Sequence, residues 1–229
     1  AHLLDGNYRR IALHRDGWYV PPDIPIRSYN DLVNYLNTLN AEWVKAAKRL
    51  SPGIIIELLE LTNEVVYREF SKLDPFAMAA YSVSWADESE SFNWFDIARE
   101  YTERWLHQQQ IRDAVNDSSL MSKELYQPFL NVFMQAWPHT AKDMNAEEGT
   151  VLKAVVTGIG EWYLKKEKDA WKLEDTGGTI IIAETIIDSN IAWKLFSKSI
   201  RKGDVKEGIT IKGDPSLGEK ILDMVSVMA

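Results

Sequence analysis

The spacing of apolar residues changes once along this chain, and that change limits the folds the chain can adopt. Up to about residue 120, apolar residues recur at the three- and four-residue intervals of amphipathic helices. Later segments such as VLKAVVT (151–157) and TIIIAETI (179–186) are short and rich in β-branched residues, as strands are. The pattern predicts a helical domain over residues 1–120, followed by a small α+β domain over residues 126–229.

Capping residues mark several element boundaries in the predicted helical domain. We expect a first helix within residues 2–18 and two more helices capped by Ser28 and by the Ser51-Pro52 pair. A short helix is predicted over residues 75–85, ahead of the acidic loop ADESES. The next helix carries an apolar stripe, which we expect to face the core, and a polar stripe; the apolar stripe consists of Trp94, Ile97, Ala98, Tyr101 and Trp105.

The predicted α+β domain contains short strands and two helices. The segments EWYLKKEK and AWKLED flank Asp169 and predict a hairpin, and GITIKGD predicts a further strand. The segment TIIIAETI predicts a central strand. Asp188 is a cap for a helix over NIAWKLFSKSI, and Asp214-Pro215 opens a final helix over residues 216–228.

Charge and composition narrow the classes of function. The net charge of -8 and the lack of a Lys/Arg cluster argue against a nucleic-acid partner. No apolar run reaches the roughly 20 residues of a membrane span, and no signal peptide is visible, so we expect a cytoplasmic protein. The chain has no cysteine, which excludes disulfides and any thiol supplied by the protein. Because the sequence begins inside a helical pattern, we expect further residues upstream of it.

Glu103 and His107 are the residues that most suggest a functional site, namely a metal site. On a helix they are four positions apart and share one face, so a carboxylate and an imidazole can bind the same divalent metal. The alternative is an ordinary surface pair of a glutamate and a histidine. A third ligand must come from elsewhere, and His2 is the candidate at the start of the chain.

The remaining candidates have simpler interpretations. His14 has no partner at useful spacing, and His139 lies in a predicted loop, so both are interpreted as surface residues. Arg112 and Asp113 could anchor a carboxylate of a ligand, although such pairs near a helix end are more often local ion pairs of little worth.

Three segments together resemble one protein family. The stretch AHLLDGNYRR resembles the histidine-bearing motif of DinB-like metal-binding bundles of the maleylpyruvate isomerase type, and 103-ERWLHQQQIRDAV-115 resembles their E-x-x-x-H motif. The segment from Ile209 to the end resembles the family's second domain, which has a sterol-carrier-protein-like α+β fold. Where many members have aspartate, this chain has Gln110. The resemblance implies a four-helix bundle with His2, Glu103 and His107 as its metal ligands. Members of the family have a helix before the histidine-bearing one, so the resemblance also implies about one further helix upstream.

The resemblance also implies a chemistry. The expected metal is a divalent ion, in the first place zinc. Three protein ligands leave one of its coordination positions open to water or substrate. A metal of this kind activates a thiol or polarises a carbonyl. The family takes its thiol from a small molecule such as mycothiol. The expected function is therefore a metal-dependent and thiol-dependent isomerase or transferase that acts on a small-molecule substrate. The alternative is a metal- or ligand-binding accessory protein of the same fold, without catalysis.

Overall fold

A computed structural model describes residues 1–82, 88–176 and 180–226 of the chain. The chain forms two compact units, the first comprising residues 1–77 and the second beginning at Met78. The helices and strands in chain order are α1 (His2–His14), α2 (Tyr29–Ala47), α3 (Pro52–Phe70), α4 (Asn93–Ala114), α5 (Lys123–Phe133), α6 (Trp137–Ala141), β1 (Val151–Val156), β2 (Gly160–Lys166), β3 (Trp171–Glu174), β4 (Ile181–Ile187), α7 (Ser189–Phe196), β5 (Ile209–Gly213) and α8 (Pro215–Gly218).

The first unit is built from three helices. The predicted caps are present: the Ser28 hydroxyl accepts from the backbone N–H of Asp31, and the Ser51 hydroxyl accepts from that of Ile54. Helix α1 packs mainly on α3. Asn7 in α1 is buried, and its side-chain amide donates to the Thr62 hydroxyl of α3 at 2.8 Å. A hydrogen-bonded buried amide of this kind fixes the register of the two helices.

Two predictions of helices in the first part of the chain are wrong, one in its end and one in the described part of its range. Helix α1 ends at His14, and Trp18 lies beyond it with 67% of its surface exposed. Gly17 has a φ of 64°, a left-handed conformation that ends a helix. The helix expected over residues 75–85 is absent from its described part, residues 75–82, where Met78 forms an isolated antiparallel bridge with Phe92. Residues 83–85 lie outside the described residues.

A five-stranded mixed sheet organises the second unit, with the strand order β3-β2-β1-β4-β5. Strands β1 and β2 pair antiparallel, and strands β2 and β3 form the antiparallel hairpin that was predicted around Asp169. Strand β4 pairs parallel to β1 and antiparallel to β5, so it lies inside the sheet as its β-branched composition predicts. Thr179, the first residue of the predicted strand, lies outside the described residues.

One face of the sheet is covered by helices and the other carries charged residues. Along β1, Leu152, Ala154 and Val156 are buried, whereas the alternate residue Lys153 points to the opposite face. On that face Lys153 Nζ lies 2.7 Å from a carboxylate oxygen of Glu161 and 3.5 Å from one of Glu184. The core therefore lies on the helix side of the sheet.

Aromatic side chains from the helices fill that core. They are Trp105 of α4, Tyr126, Phe129 and Phe133 of α5, and Trp193 and Phe196 of α7. The Tyr126 hydroxyl donates to the backbone oxygen of Ser189 at 2.9 Å, which connects α5 to the start of α7. Helix α7 begins as predicted, because the Asp188 side chain accepts from the N–H of Asn190.

The fold class is confirmed: helices in the N-terminal part precede a mixed sheet with helices. The two compact units do not coincide with the predicted domains, whose boundary near residues 118–126 stays a prediction, as does the four-helix bundle. The helix predicted over residues 216–228 is shorter. Helix α8 ends at Gly218, a 3-10 segment covers Glu219–Asp223, and residues 227–229 lie outside the described residues.

Candidate metal centre

Helix α4 presents one face to the core of the second unit and carries the candidate ligands on another. Trp105 is buried and stacks on Tyr126, with ring centroids 4.7 Å apart. The predicted apolar stripe is otherwise displaced, because Trp94 is 43% exposed while Phe95 and Leu106 are buried. The buried face of α4 is thus shifted by about one residue from the predicted stripe. The spacing of apolar residues alone does not determine the face this finely.

Glu103 and His107 face each other across one turn of α4. Glu103 Oε2 lies 3.5 Å from His107 Nε2, and the two side chains are 26% and 31% exposed. They are therefore shielded from solvent but still accessible to a small ligand. The i, i+4 spacing that the sequence identified does bring a carboxylate oxygen and an imidazole nitrogen together.

Gln110 holds the other nitrogen of the His107 ring. Its amide oxygen Oε1 lies 3.0 Å from His107 Nδ1. An amide oxygen only accepts, so this contact places the hydrogen on Nδ1 and leaves Nε2 as the nitrogen that faces Glu103. In the neutral imidazole, the lone pair of Nε2 would then face a carboxylate oxygen of Glu103, and the two would repel each other. A positive charge between the two atoms removes this repulsion.

The pKa of His107 points to the same preference for positive charge. Hydrogen bonding to Glu103 raises this pKa above the usual histidine value, and Gln110 and the charge of Glu103 add to the effect. Burial of the ring lowers the pKa, but it does not outweigh the carboxylate. The position of Nε2 is thus suited either to a proton or to a metal cation.

The separation of the pair also suits two ligands of one metal ion. A separation of 3.5 Å is long for an N–H···O bond. Two ligands at about 2.0–2.2 Å from a tetrahedral zinc ion lie roughly 3.3–3.5 Å from each other. Glu103 and His107 could therefore bind one such ion with little movement, with Gln110 fixing the ring as an outer partner.

The polar stripe of α4 continues towards its N-terminus as an ion-pair group. Arg99 Nη2 lies 3.2 Å from Asp96 Oδ1 and 3.2 Å from Glu100 Oε1, and both carboxylates are buried. Each of these pairs is local to one helical turn. The group therefore places paired charges on the N-terminal side of Glu103.

The third predicted ligand lies in the other unit. His2 is the first residue of α1 and is half-buried. Glu103 and His107 both belong to the second unit. That unit therefore brings two of the three predicted ligands together. The inclusion of His2 in the set stays a prediction.

The other candidate residues have structural roles. The His14 ring makes an edge contact with Phe70, with centroids 5.7 Å apart. His139 was predicted to lie in a loop, but it lies in α6. Arg112 pairs with Asp117 and donates to the Ser119 hydroxyl at 2.7 Å, while Asp113 pairs with Lys194 at 2.7 Å. Both residues thus form ion pairs, but with Asp117 and Lys194 and not with each other, so the simpler interpretation is wrong about the partners.

Gln110 is the functional candidate to which the sequence assigned no role. Its position three residues after His107 was visible in the sequence, and residues at that spacing meet on a helix. Only the side-chain conformations show that its oxygen contacts Nδ1.

Comparison with known proteins finds a structural likeness of low similarity. No protein-family model matches the chain, and no curated protein matches it. Among solved structures, a chain described as "UbiJ-SCP2 Ubiquinone synthesis protein" is similar at 16% sequence identity and a TM-score of 0.29, covering 47% of this chain and 95% of that one. In the part of the chain that the structure describes, no helix is both long enough and apolar enough to cross a bilayer.

Proposed function

We propose that this protein is a metal-dependent enzyme that uses a low-molecular-weight thiol, and that it acts as an isomerase or a transferase. The observation that carries the proposal is the Glu103–His107 pair, whose facing atoms are spaced like two ligands of one zinc ion. His2 is the proposed third ligand, on the basis of the resemblance of AHLLDGNYRR to the family motif.

The residues of the site have distinct parts in this proposal. Glu103 and His107 would supply an oxygen and a nitrogen ligand, and Gln110 would hold the His107 ring in the tautomer that leaves Nε2 free to bind. A divalent metal bound by three protein ligands supplies Lewis acidity, which lowers the pKa of a thiol and polarises a carbonyl.

The thiol must come from outside the chain, because the protein has no cysteine. In the isomerase reaction, the sulfur of an external thiolate adds to one carbon of an activated cis double bond. The remaining single bond rotates, and elimination of the same thiolate restores the double bond in the trans form. The thiol is regenerated, so no oxidant or reductant is needed. A small thiol of the mycothiol type is the proposed cofactor, and zinc is the proposed metal.

A second candidate function is metal or ligand binding without catalysis. The spacing of the Glu103–His107 pair supports this alternative equally, because holding an ion requires ligands but no catalysis. In such an accessory protein, the Glu103–His107 pair would hold a metal for stability or transfer.

The two candidates differ in their dependence on thiol. The test is conversion of maleylpyruvate by zinc-loaded protein with and without mycothiol, using Glu103→Gln as the matched variant. The enzyme hypothesis predicts turnover that needs both the thiol and Glu103. Bound zinc without any turnover, and with no effect of thiol, would favour the accessory protein.

A further inference from the structure

Helices α4 and α7 contact each other inside the second unit through side chains on one face of α4. Trp105, Gln109 and Asp113 lie at i, i+4 and i+8 of α4 and therefore share one face. The Trp105 ring contacts Trp193 of α7 edge to face, with centroids 6.3 Å apart. At the other end of the same face, Asp113 pairs with Lys194 at 2.7 Å. Gln109 lies between Trp105 and Asp113 on this face, one turn of α4 from each.

Three buried polar atoms of these side chains have no hydrogen-bond partner among the residues that the structure describes. They are Trp105 Nε1, Trp193 Nε1 and Gln109 Oε1, and none makes a hydrogen bond to any described residue. The three side chains are 3%, 2% and 3% exposed, so bulk water does not reach them. Two are donors and one is an acceptor, yet they do not bond to each other.

Buried polar groups are almost always satisfied, by protein or by an ordered water molecule. Leaving three of them unpaired in one interface would be costly, and the cost would exceed that of immobilising one solvent molecule. A buried water needs two to four polar partners, and this interface offers three with complementary roles.

We propose that the α4–α7 interface binds one internal water molecule between Trp105, Gln109 and Trp193. The two indole N–H groups donate to the water oxygen, and one water O–H donates to Gln109 Oε1. The partners are neutral and the neighbouring side chains Tyr126 and Phe129 are aromatic, so the site suits a neutral molecule and not an ion. The nearby charge of Lys194 is already paired with Asp113.

This water connects the helix that carries Glu103 and His107 to the helix that follows the sheet. Trp105 lies between the two candidate ligands in sequence, and Gln109 follows two residues after His107. A bridge of this kind restrains rotation of α4 about its axis. The inference does not depend on the metal, because it concerns a different face of α4.

The test is water-to-protein cross-relaxation of the indole N–H protons in the full-length protein, measured by nuclear magnetic resonance. Trp105→Phe and Trp193→Phe assign the two resonances. Trp171 is the matched control, since its indole is also buried but donates to the backbone oxygen of Met144 at 3.3 Å. We expect cross-peaks with water at Trp105 and Trp193 and none at Trp171.

A Gln109→Leu variant tests the third partner, with Gln109→Met as a second variant if packing of the branched side chain disturbs the fold. Both should weaken or abolish the water cross-peaks of the two indoles while the rest of the spectrum keeps its dispersion. Absence of a water cross-peak at either indole of the unmodified protein would overturn the proposal. Cross-peaks that persist unchanged in both Gln109 variants would overturn it as well.

Discussion

Glu103 Oε2 and His107 Nε2 lie 3.5 Å apart across one turn of α4. This separation is too long for a strong direct hydrogen bond and close to the distance between two ligands of a tetrahedral metal. With Nδ1 of the ring held by Gln110, the nitrogen that faces the carboxylate is the one that a metal would need. The proposed metal centre rests on this relationship, and the first predictions concern it.

Gln110→Leu should weaken metal binding without removing a ligand. Loss of the amide oxygen leaves His107 Nδ1 without its partner and frees the ring to rotate. Substitution of such outer partners typically costs about 10–100-fold in metal affinity. Competition with a chromophoric zinc chelator measures the change. Gln108→Leu is the matched control, because Gln108 is exposed on the same helix, and it should leave affinity unchanged. Equal affinity in the two variants would show that Gln110 has no part in the site.

Metal uptake should depend on pH through His107. Glu103 raises the pKa of this histidine, so a proton competes with the metal for Nε2 up to a higher pH than it would at an unperturbed histidine. We expect uptake to be complete only above the raised pKa and to fall as the pH drops through it. Zinc titrations from about pH 5 to 8 measure this. Uptake that is independent of pH in this range would rule out His107 as a ligand.

The metal-free protein should show the opposite dependence of stability on pH. A histidine with a raised folded pKa contributes stability that is fully present below its unfolded pKa, about 6.5, and lost as the pH rises through the folded pKa. The melting temperature of chelator-treated protein should therefore fall over that window because of His107. The His107→Gln variant should lack this component. Parallel pH profiles for the two proteins would contradict the ion pair.

The sequence predicted the strands of the sheet better than the helices that precede them. Segments such as TIIIAETI are β-branched over strand length and are bounded by turn residues, so their conformation is largely local. Helices α5 and α6 were not predicted. Tyr126, Phe129 and Phe133 do follow helical spacing, but Pro128 and Pro138 interrupt the pattern, and burial against the sheet stabilises these helices nonetheless.

The candidate site was predictable only in part. The i, i+4 spacing of Glu103 and His107 fixes their proximity on any helix, and the structure confirms it. The role of Gln110 depends on side-chain torsions, which spacing does not determine. The buried face of α4 was also misplaced, because Trp94 is apolar yet exposed and Asp96 is charged yet buried in an ion pair.

Gly213 should tolerate no side chain. It has a φ of 78°, and a Cβ atom there would lie 2.1 Å from the backbone oxygen of Ile182 on the neighbouring strand. Gly213→Ala should destabilise the protein by more than about 1 kcal/mol. Thermal unfolding should show a fall of at least about 2–4 °C. Gly203→Ala is the control, since a Cβ there meets nothing within 4 Å. A melting temperature equal to that of the control would contradict the register of β4 and β5.

Tyr126→Phe should cost about 1 kcal/mol of unfolding free energy. The change removes a buried hydroxyl that donates to the backbone oxygen of Ser189, and that oxygen loses its side-chain partner. Tyr163→Phe is the matched control, because the Tyr163 hydroxyl contacts Glu161 at an exposed position on the charged sheet face. Urea unfolding should give a clearly lower midpoint for the first variant only. Similar midpoints would mean that the connection between α5 and α7 adds no stability.

The most direct test of the account is elemental analysis of the purified protein and of three variants, His2→Ala, His107→Ala and His14→Ala. We predict stoichiometric metal in the unmodified protein and in His14→Ala, whose ring packs against Phe70. His2→Ala and His107→Ala should both lose most of the metal, because each would remove one of three protein ligands. Equal metal content in the unmodified protein and His107→Ala would contradict the metal centre.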